Sequence, residues 1–320
     1  MSNSRRDFVK AAAATTGLAV QAALAAGEVP KRTLGKTGLQ VSIMGLGGAR
    51  TGNLEDPKAA AAVIRHCYEM GVNYFDSAAA GAYGLSQSRY GSALKDVRGK
   101  IIFSTKTRHR DATQSQLDLD QSLANFQTDY IDLYQVHNVI NESDIEFIFG
   151  KRGVMEMIEK ARKAGKIRFV GFTGHTEPAI LNKMMSLYDF DTILMPLSAT
   201  DGANKQKSFE KETLPIAKKK NLGIIAMKTL GAGAVLREKA ATVEECLRYV
   251  WSLPVSTAIL GCDRMAHVDG NLALAKTVKP MTASEMDGLR RRMAGFQMAQ
   301  LEPWKLGREE DPGGPIYRAD

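Results

Sequence analysis

The sequence predicts an α/β fold, a (β/α)8 TIM barrel with an N-terminal β-hairpin and a C-terminal helix and tail. Three observations predict it. Short apolar runs alternate with longer helical patterns eight times over about 250 residues, a typical length for such a barrel. No Pro/Gly-rich linker divides that stretch into two domains. The glycine fingerprint of a doubly wound nucleotide-binding sheet is missing. The turn after the first run reads Gly45-Leu46-Gly47-Gly48-Ala49-Arg50, and neither it nor Gly231-Ala232-Gly233-Ala234 fits GxGxxG.

Composition narrows the class. A chain of 320 residues that is 44% hydrophobic and 24% charged can bury a sizeable core. Its three cysteines, Cys67, Cys246 and Cys262, are odd in number and widely spaced. That excludes a disulfide framework and a CxxC zinc pattern, and no metal site is expected. The net charge is +8, with clusters at Lys218-Lys219-Lys220 and Arg290-Arg291-Arg292. Both clusters fall near the ends of expected helices, where cations complement the dipole. Neither is interleaved with aromatics, so nucleic acid is not an expected partner.

The elements follow in chain order. Ser4-Arg5-Arg6-Asp7-Phe8-Val9-Lys10 precedes an alanine-rich stretch over 11–26 that includes Thr15, Thr16, Gly17 and Gln21. It is too short and too weakly apolar for stable membrane insertion, since a spanning helix needs about 20 strongly apolar residues. Ala23-Leu24-Ala25 supplies a small-x-small cleavage pattern. The segment 1–25 resembles a twin-arginine signal peptide. That resemblance implies the twin-arginine export machinery as a partner, passage across the membrane in the folded state, and a periplasmic location. Cleavage would remove three cations and one anion, lowering the charge from +8 to +6.

Residues 33–41, Thr33-Leu34-Gly35-Lys36-Thr37-Gly38-Leu39-Gln40-Val41, read as a hairpin plugging the barrel bottom. The eight strands are expected over 42–46, 72–76, 101–104, 130–136, 167–173, 192–195, 223–227 and 257–260. Thr113-x-x-Gln116, Thr242-x-x-Glu245 and Thr282-x-x-Glu285 read as capping boxes that open helices. Gly165 sits where a glycine ends a helix before the fifth strand. The tail over 301–320 reads as an ordered surface loop, with Trp304 a candidate lid aromatic.

In a barrel of this kind chemistry sits at the C-terminal ends of the strands. The second, third and fourth strands end at Asp76, Lys106 and His137, and Tyr83 follows in the loop after the second. Singly, each has an ordinary structural use; together on one rim they form a polar group. A nearby cation favours a phenolate, so Lys106 can activate Tyr83 while Asp76 holds the ammonium. An imidazole at His137 can orient a carbonyl oxygen. Such a set suits protonation of an oxygen that gains negative charge as its carbon receives a hydride. No side chain supplies hydride, so a nicotinamide cofactor is required.

Phe75-Asp76-Ser77-Ala78, Tyr83-Gly84-Leu85-Ser86, Ser104-Thr105-Lys106-Thr107 and Tyr134-Gln135-Val136-His137 resemble, in order, the four tetrad segments of the aldo-keto reductases. The resemblance covers the chain from about Arg32 to the final helix, so 26–320 is expected to be one such domain. It implies reduction of aldehydes, ketones or sugars by NADPH, or by NADH, with Tyr83 as general acid beside Lys106, Asp76 and His137. Met227-Lys228-Thr229-Leu230-Gly231-Ala232-Gly233 is similar to the family's pyrophosphate segment. By that likeness Lys228, Leu230, Gly231 and Gly233 are cofactor-binding residues. Gly261-Cys262-Asp263-Arg264, followed by His267 and Asn271, is similar to its adenosine segment, which assigns Gly261, Arg264 and Asn271 there. Arg264 then becomes the partner of a 2′-phosphate.

Three departures accompany the resemblance. Tyr83 follows Asp76 by seven residues where five is common in the family. Thr173-Gly174-His175 stands where Ser-Asn often faces nicotinamide, leaving Thr173 or His175 as donors. Ile193-Leu194-Met195-Pro196 lacks a frequent glutamine. A second reading therefore stays open, a nucleotide-binding barrel with a regulatory role and no chemistry.

Overall fold

The structure, a computed structural model, describes residues 27–305. The expected signal peptide and the tail beyond Lys305 lie outside the described residues. Two short strands, β1 Lys31–Thr33 and β2 Gln40–Ser42, pair antiparallel with Lys31 opposite Ser42. Eight strands follow: β3 Met44–Gly47, β4 Tyr74–Asp76, β5 Ile102–Thr107, β6 Ile131–Val136, β7 Ile167–Thr173, β8 Thr192–Pro196, β9 Gly223–Met227 and β10 Thr257–Leu260. All pair in parallel in sequence order, and β10 closes on β3 with Ala258 opposite Met44. The predicted (β/α)8 barrel is thus present.

Most barrel residues are buried on both faces, as helix-covered parallel sheets require. The outward side chains join the helices in one large apolar core. The inward ones form a smaller cluster of Tyr74, Ile102, Leu133, Leu194, Ile225 and Met227. Leu34 and Val41 of the hairpin complete that cluster, so the hairpin is the expected plug. Arg32 fastens it, donating to Trp251 O and Val255 O at 2.7 Å each. With Gln40–Ser42 drawn into the hairpin, the first barrel strand starts at Met44 rather than at residue 42.

Local caps follow the chemistry of the nearest acceptor. Thr242 and Thr282 form complete capping boxes with Glu245 and Glu285. The expected box at Thr113 is not the cap. Asp111, two residues upstream, accepts from Gln114 N at 2.9 Å and starts the helix Ala112–Phe126. A carboxylate at the N-terminus satisfies the free amides and complements the dipole, leaving Thr113 inside the first turn. Gly165 takes φ +75° just after the helix Val154–Lys163, as its position predicts. No helix among the described residues is long and apolar enough to cross a membrane.

Gly35 and Gly38 both have left-handed backbones, at φ +51° and φ +73°. A Cβ on Gly38 would enter open space, whereas one on Gly35 would strike the backbone of Leu222 and Gly223. Gly38→Ala should cost about 1 kcal/mol, the left-handed penalty alone. Gly35→Ala should cost about 3 kcal/mol or more, because the plug must also shift. Urea unfolding measures both, and equal losses would show that the plug is not seated on β9.

Candidate active site

Alternation along the strands builds a polar layer above the apolar plug. On β5, Ile102 belongs to the inner cluster, and Ser104 and Lys106 face inward above it. Lys106 Nζ donates to Asp76 Oδ1 at 2.8 Å, to Asp76 Oδ2 at 2.7 Å and to Ser77 O at 2.7 Å. Ser104 Oγ donates to the same carboxylate at 3.2 Å, and Gln135 Nε2 donates to Ser104 Oγ at 2.7 Å. Lys106 is fully buried and Asp76 nearly so. Burial pushes the lysine pKa below its ordinary value and the aspartate pKa above its own, and mutual attraction opposes both shifts.

Tyr83 closes a helical turn, Ala80–Tyr83, that takes up the long spacing from Asp76. Its ring faces the ammonium, with Lys106 Nζ 5.0 Å from the centroid. Two glycines make room for this turn. A Cβ on Gly52 would strike Tyr83 O, and Gly84 takes φ +54° with Gly52 O 2.8 Å from where its Cβ would lie. Gly84 stands in the Tyr83-Gly84-Leu85-Ser86 segment, whereas Gly52 belongs to no motif and its role shows only in the fold.

His137 and His175 stand edge to face at the ends of β6 and β7, ring centroids 5.7 Å apart. His137 Nδ1 lies 3.0 Å from Thr173 Oγ1, which also accepts from Asn138 N at 2.8 Å. The hydroxyl can donate to Nδ1 while it accepts from Asn138 N, the arrangement in which the imidazole hydrogen sits on Nε2. His175 Nδ1 lies 2.7 Å from Asn138 Oδ1, an acceptor, so its hydrogen is on Nδ1. Asn138 is held at φ +52°, a conformation asparagine tolerates. Burial and His175 push the His137 pKa well down. Burial, then Lys228, Lys106 and Arg108, push His175 down to about 3.

The residues expected to hold a dinucleotide lie at the ends of β9 and β10. Lys228, Gly231, Ala232 and Gly233 have φ of +59°, +58°, +50° and +88°. Turns of left-handed residues can gather backbone N–H groups into a concave anion site. Leu230 sits half-buried in this turn, and Leu301 O approaches within 3.0 Å of where a Gly231 Cβ would stand. The buried Trp304 lies beneath Lys228, whose Nζ is 5.3 Å from its ring centroid. Arg264 begins the helix Met265–Lys276, largely exposed and paired to Asp263 at 3.2 Å. Asn271 donates to Cys262 Sγ at 3.6 Å. Gly261 is covered by Arg50, whose Cγ would be 2.9 Å from a Cβ there. Arg50, which sequence reasoning passed over, thus joins Lys228 and Arg264 on one arc of the rim. Three cations and a left-handed turn fit the phosphates of a dinucleotide. Among the described residues no group of side chains could hold a metal ion.

Residues 43–245 match the model of the Aldo/keto reductase family. The chain is 30% identical to L-galactose dehydrogenase of Arabidopsis thaliana over 227 residues, 66% of this chain and 68% of that protein. It is 25% identical to the uncharacterized oxidoreductase YqkF of Bacillus subtilis over 230 residues, 68% and 70% of the two chains. Its fold is similar to that of the holo form of aldo-keto reductase AKR11C1 from Bacillus halodurans. The TM-score is 0.69 at 23% identity, covering 83% of this chain and 96% of the other.

The depressed imidazoles give stability a pH dependence of definite sign. An unfolded histidine titrates near about pH 6.5. Below that pH the unfolded chain binds protons that folded His137 and His175 refuse, so acidification destabilises the fold. From about pH 7 to about pH 5, the urea midpoint of His175→Gln should fall less than that of the unaltered protein. Parallel declines would place the titration elsewhere.

Proposed function

Because the chain belongs to the aldo/keto reductase family, and is an NAD(P)-dependent oxidoreductase of that type, we propose that it reduces an aldehyde, ketone or sugar carbonyl to an alcohol with Tyr83 as general acid. The observation that carries this reading is the Lys106 ammonium, buried on Asp76 and facing the Tyr83 ring. A cation so placed stabilises the phenolate that forms as Tyr83 gives its hydrogen to the carbonyl oxygen. Asp76 and Ser77 O fix the ammonium, so its charge is already aimed before substrate enters. His137, neutral with its hydrogen on Nε2, would donate to the same oxygen and orient it.

NADP, or NAD, would be held along the cationic arc. Lys228, Leu230, Gly231 and Gly233 would take the pyrophosphate, and Gly261, Arg264 and Asn271 the adenosine, with Arg264 on a 2′-phosphate and Arg50 beside it. Thr173 would lie toward the nicotinamide, its hydroxyl shared with His137. When bound, the nicotinamide supplies the hydride.

Purified protein mixed with NADPH and a panel of aldehydes, ketones and sugars tests this. Tyr83→Phe should lower kcat by about 100-fold or more while the quenching of cofactor fluorescence persists. Quenching without any Tyr83-dependent oxidation would favour a nucleotide-binding barrel with no chemistry.

We propose further that the protein is exported to the periplasm by the twin-arginine route. The support is Arg5-Arg6 ahead of the alanine-rich stretch and the Ala23-Leu24-Ala25 cleavage pattern. The three cysteines are all buried and free, which suits a cargo that folds before it crosses. Cell fractionation of a double variant, Arg5→Lys with Arg6→Lys, should find uncleaved precursor retained in the cytoplasm. Unchanged processing and a periplasmic product would remove the proposal.

A further inference from the structure

After the long helix Ala283–Ala294 the chain returns to the barrel mouth. The short helix Met298–Leu301 and the turn Pro303–Lys305 form a strap between the loop after β8 and the turn after β9. On the β8 side Lys305 Nζ donates to Asp201 and to Lys207 O at 3.0 Å, and pairs with Glu302 Oε2 at 3.0 Å. Asn204 Nδ2 donates to the same Glu302 oxygen at 3.3 Å, and Asp201 also accepts from Phe209 N and Glu210 N. Lys305, Asp201 and Glu302 are all buried. Charges this far from water persist where several partners share them, so the strap has a fixed seat. On the β9 side Leu301 O closes on Gly231, and the Trp304 ring closes on Lys228.

The chain has two tryptophans, and their N–H groups are treated differently. Trp251 Nε1 donates to Ile43 O at 2.9 Å. Trp304 Nε1 is buried as well, yet it meets no acceptor. A buried donor left unpaired has lost its bond to water and gained nothing in return. Every atom of an indole lies within a ring's width of its centroid. This N–H therefore shares the surroundings of the Lys228 ammonium and of the left-handed turn through Gly233. Such surroundings collect negative charge.

We propose that Trp304 is a further cofactor-binding residue, its indole N–H donating to a phosphate oxygen of the dinucleotide's pyrophosphate. The proposal rests on the reading above that lays a dinucleotide along this arc. Trp304 carries no charge, so it adds direction rather than attraction. A donor seated by the strap selects one oxygen position, while the turn supplies its own backbone N–H groups. Lys228 enters only as a neighbour and keeps its own partners. The N–H is closed to solvent, so strap and turn part slightly to admit the phosphate and then close over it.

Two tryptophans give two indole resonances in a proton–nitrogen correlation spectrum. Either Trp251→Phe or Trp304→Phe assigns them, so poor folding of one variant does not block the test. Adding NADP+ to the unaltered protein should move the Trp304 resonance downfield and leave that of Trp251 in place. The fragment 2′-AMP, which carries no pyrophosphate, should move neither. By calorimetry Trp304→Phe should raise the Kd for NADP+ about tenfold or more, the worth of a hydrogen bond to a charged group, and leave that for 2′-AMP unchanged. Three results would each overturn the assignment while leaving the dinucleotide reading in place. They are a Trp304 resonance that stays or moves upfield although calorimetry shows NADP+ bound, a Trp304 shift produced by 2′-AMP, and an unchanged Kd for NADP+ in Trp304→Phe. If calorimetry finds neither NADP+ nor NAD+ bound, the dinucleotide reading falls and takes this proposal with it.

Discussion

The contact on which the barrel mouth depends is the Lys106–Asp76 ion pair, closed to solvent inside a ring of strands. Taking two such charges out of water costs several kcal/mol each, and attraction alone does not guarantee a net gain. Here both carboxylate oxygens, a backbone carbonyl and a serine hydroxyl share the charge. That sharing requires register. Asp76 lies opposite Ser104 across β4 and β5, and Lys106 lies opposite Gln135 across β5 and β6. A slip of one residue in any of the three strands would turn its polar rung outward into the apolar helix layer.

The apolar floor makes that register affordable in structural terms. Tyr74, Ile102, Leu133, Leu194 and Ile225 fill the lower interior with Leu34 and Val41 of the plug. The polar rungs can therefore begin only above them, toward the C-terminal ends of the strands. Floor and mouth are two levels of one alternating pattern, which is why the charged residues converge without a dedicated loop. Tyr83 is the exception, because it arrives from a separate turn. Its place depends on close backbone approach at Gly52 and on the left-handed Gly84.

Much of this was legible in the chain. The β-rich runs, the Thr242 and Thr282 boxes and the glycine after Lys163 are signals carried by a few adjacent residues, and each is found where expected. The Thr113 box misleads because an acidic residue two positions earlier is a stronger cap, a competition that a motif alone does not weigh. Asp76, Lys106 and His137 stand out because they are ionisable residues at the ends of strand-like runs. Ser104, Gln135 and Asn138 carry no charge to mark them, and their meaning lies in partners on other strands. Arg50 is one among 43 lysines and arginines, and only its place over Gly261 distinguishes it.

By itself the sequence determined the alternation of strand and helix, the plug, and the identity of the polar residues at the strand ends, because hydrophobic period and local hydrogen-bonding chemistry act over a few residues. Only the tertiary structure decided that Lys106 is buried on Asp76 facing Tyr83, that two imidazoles share the Thr173–Asn138 network, and that Arg50 packs over Gly261. Those facts arise from strand register and barrel closure, which join residues far apart in the chain and leave no mark on the neighbours of any one of them.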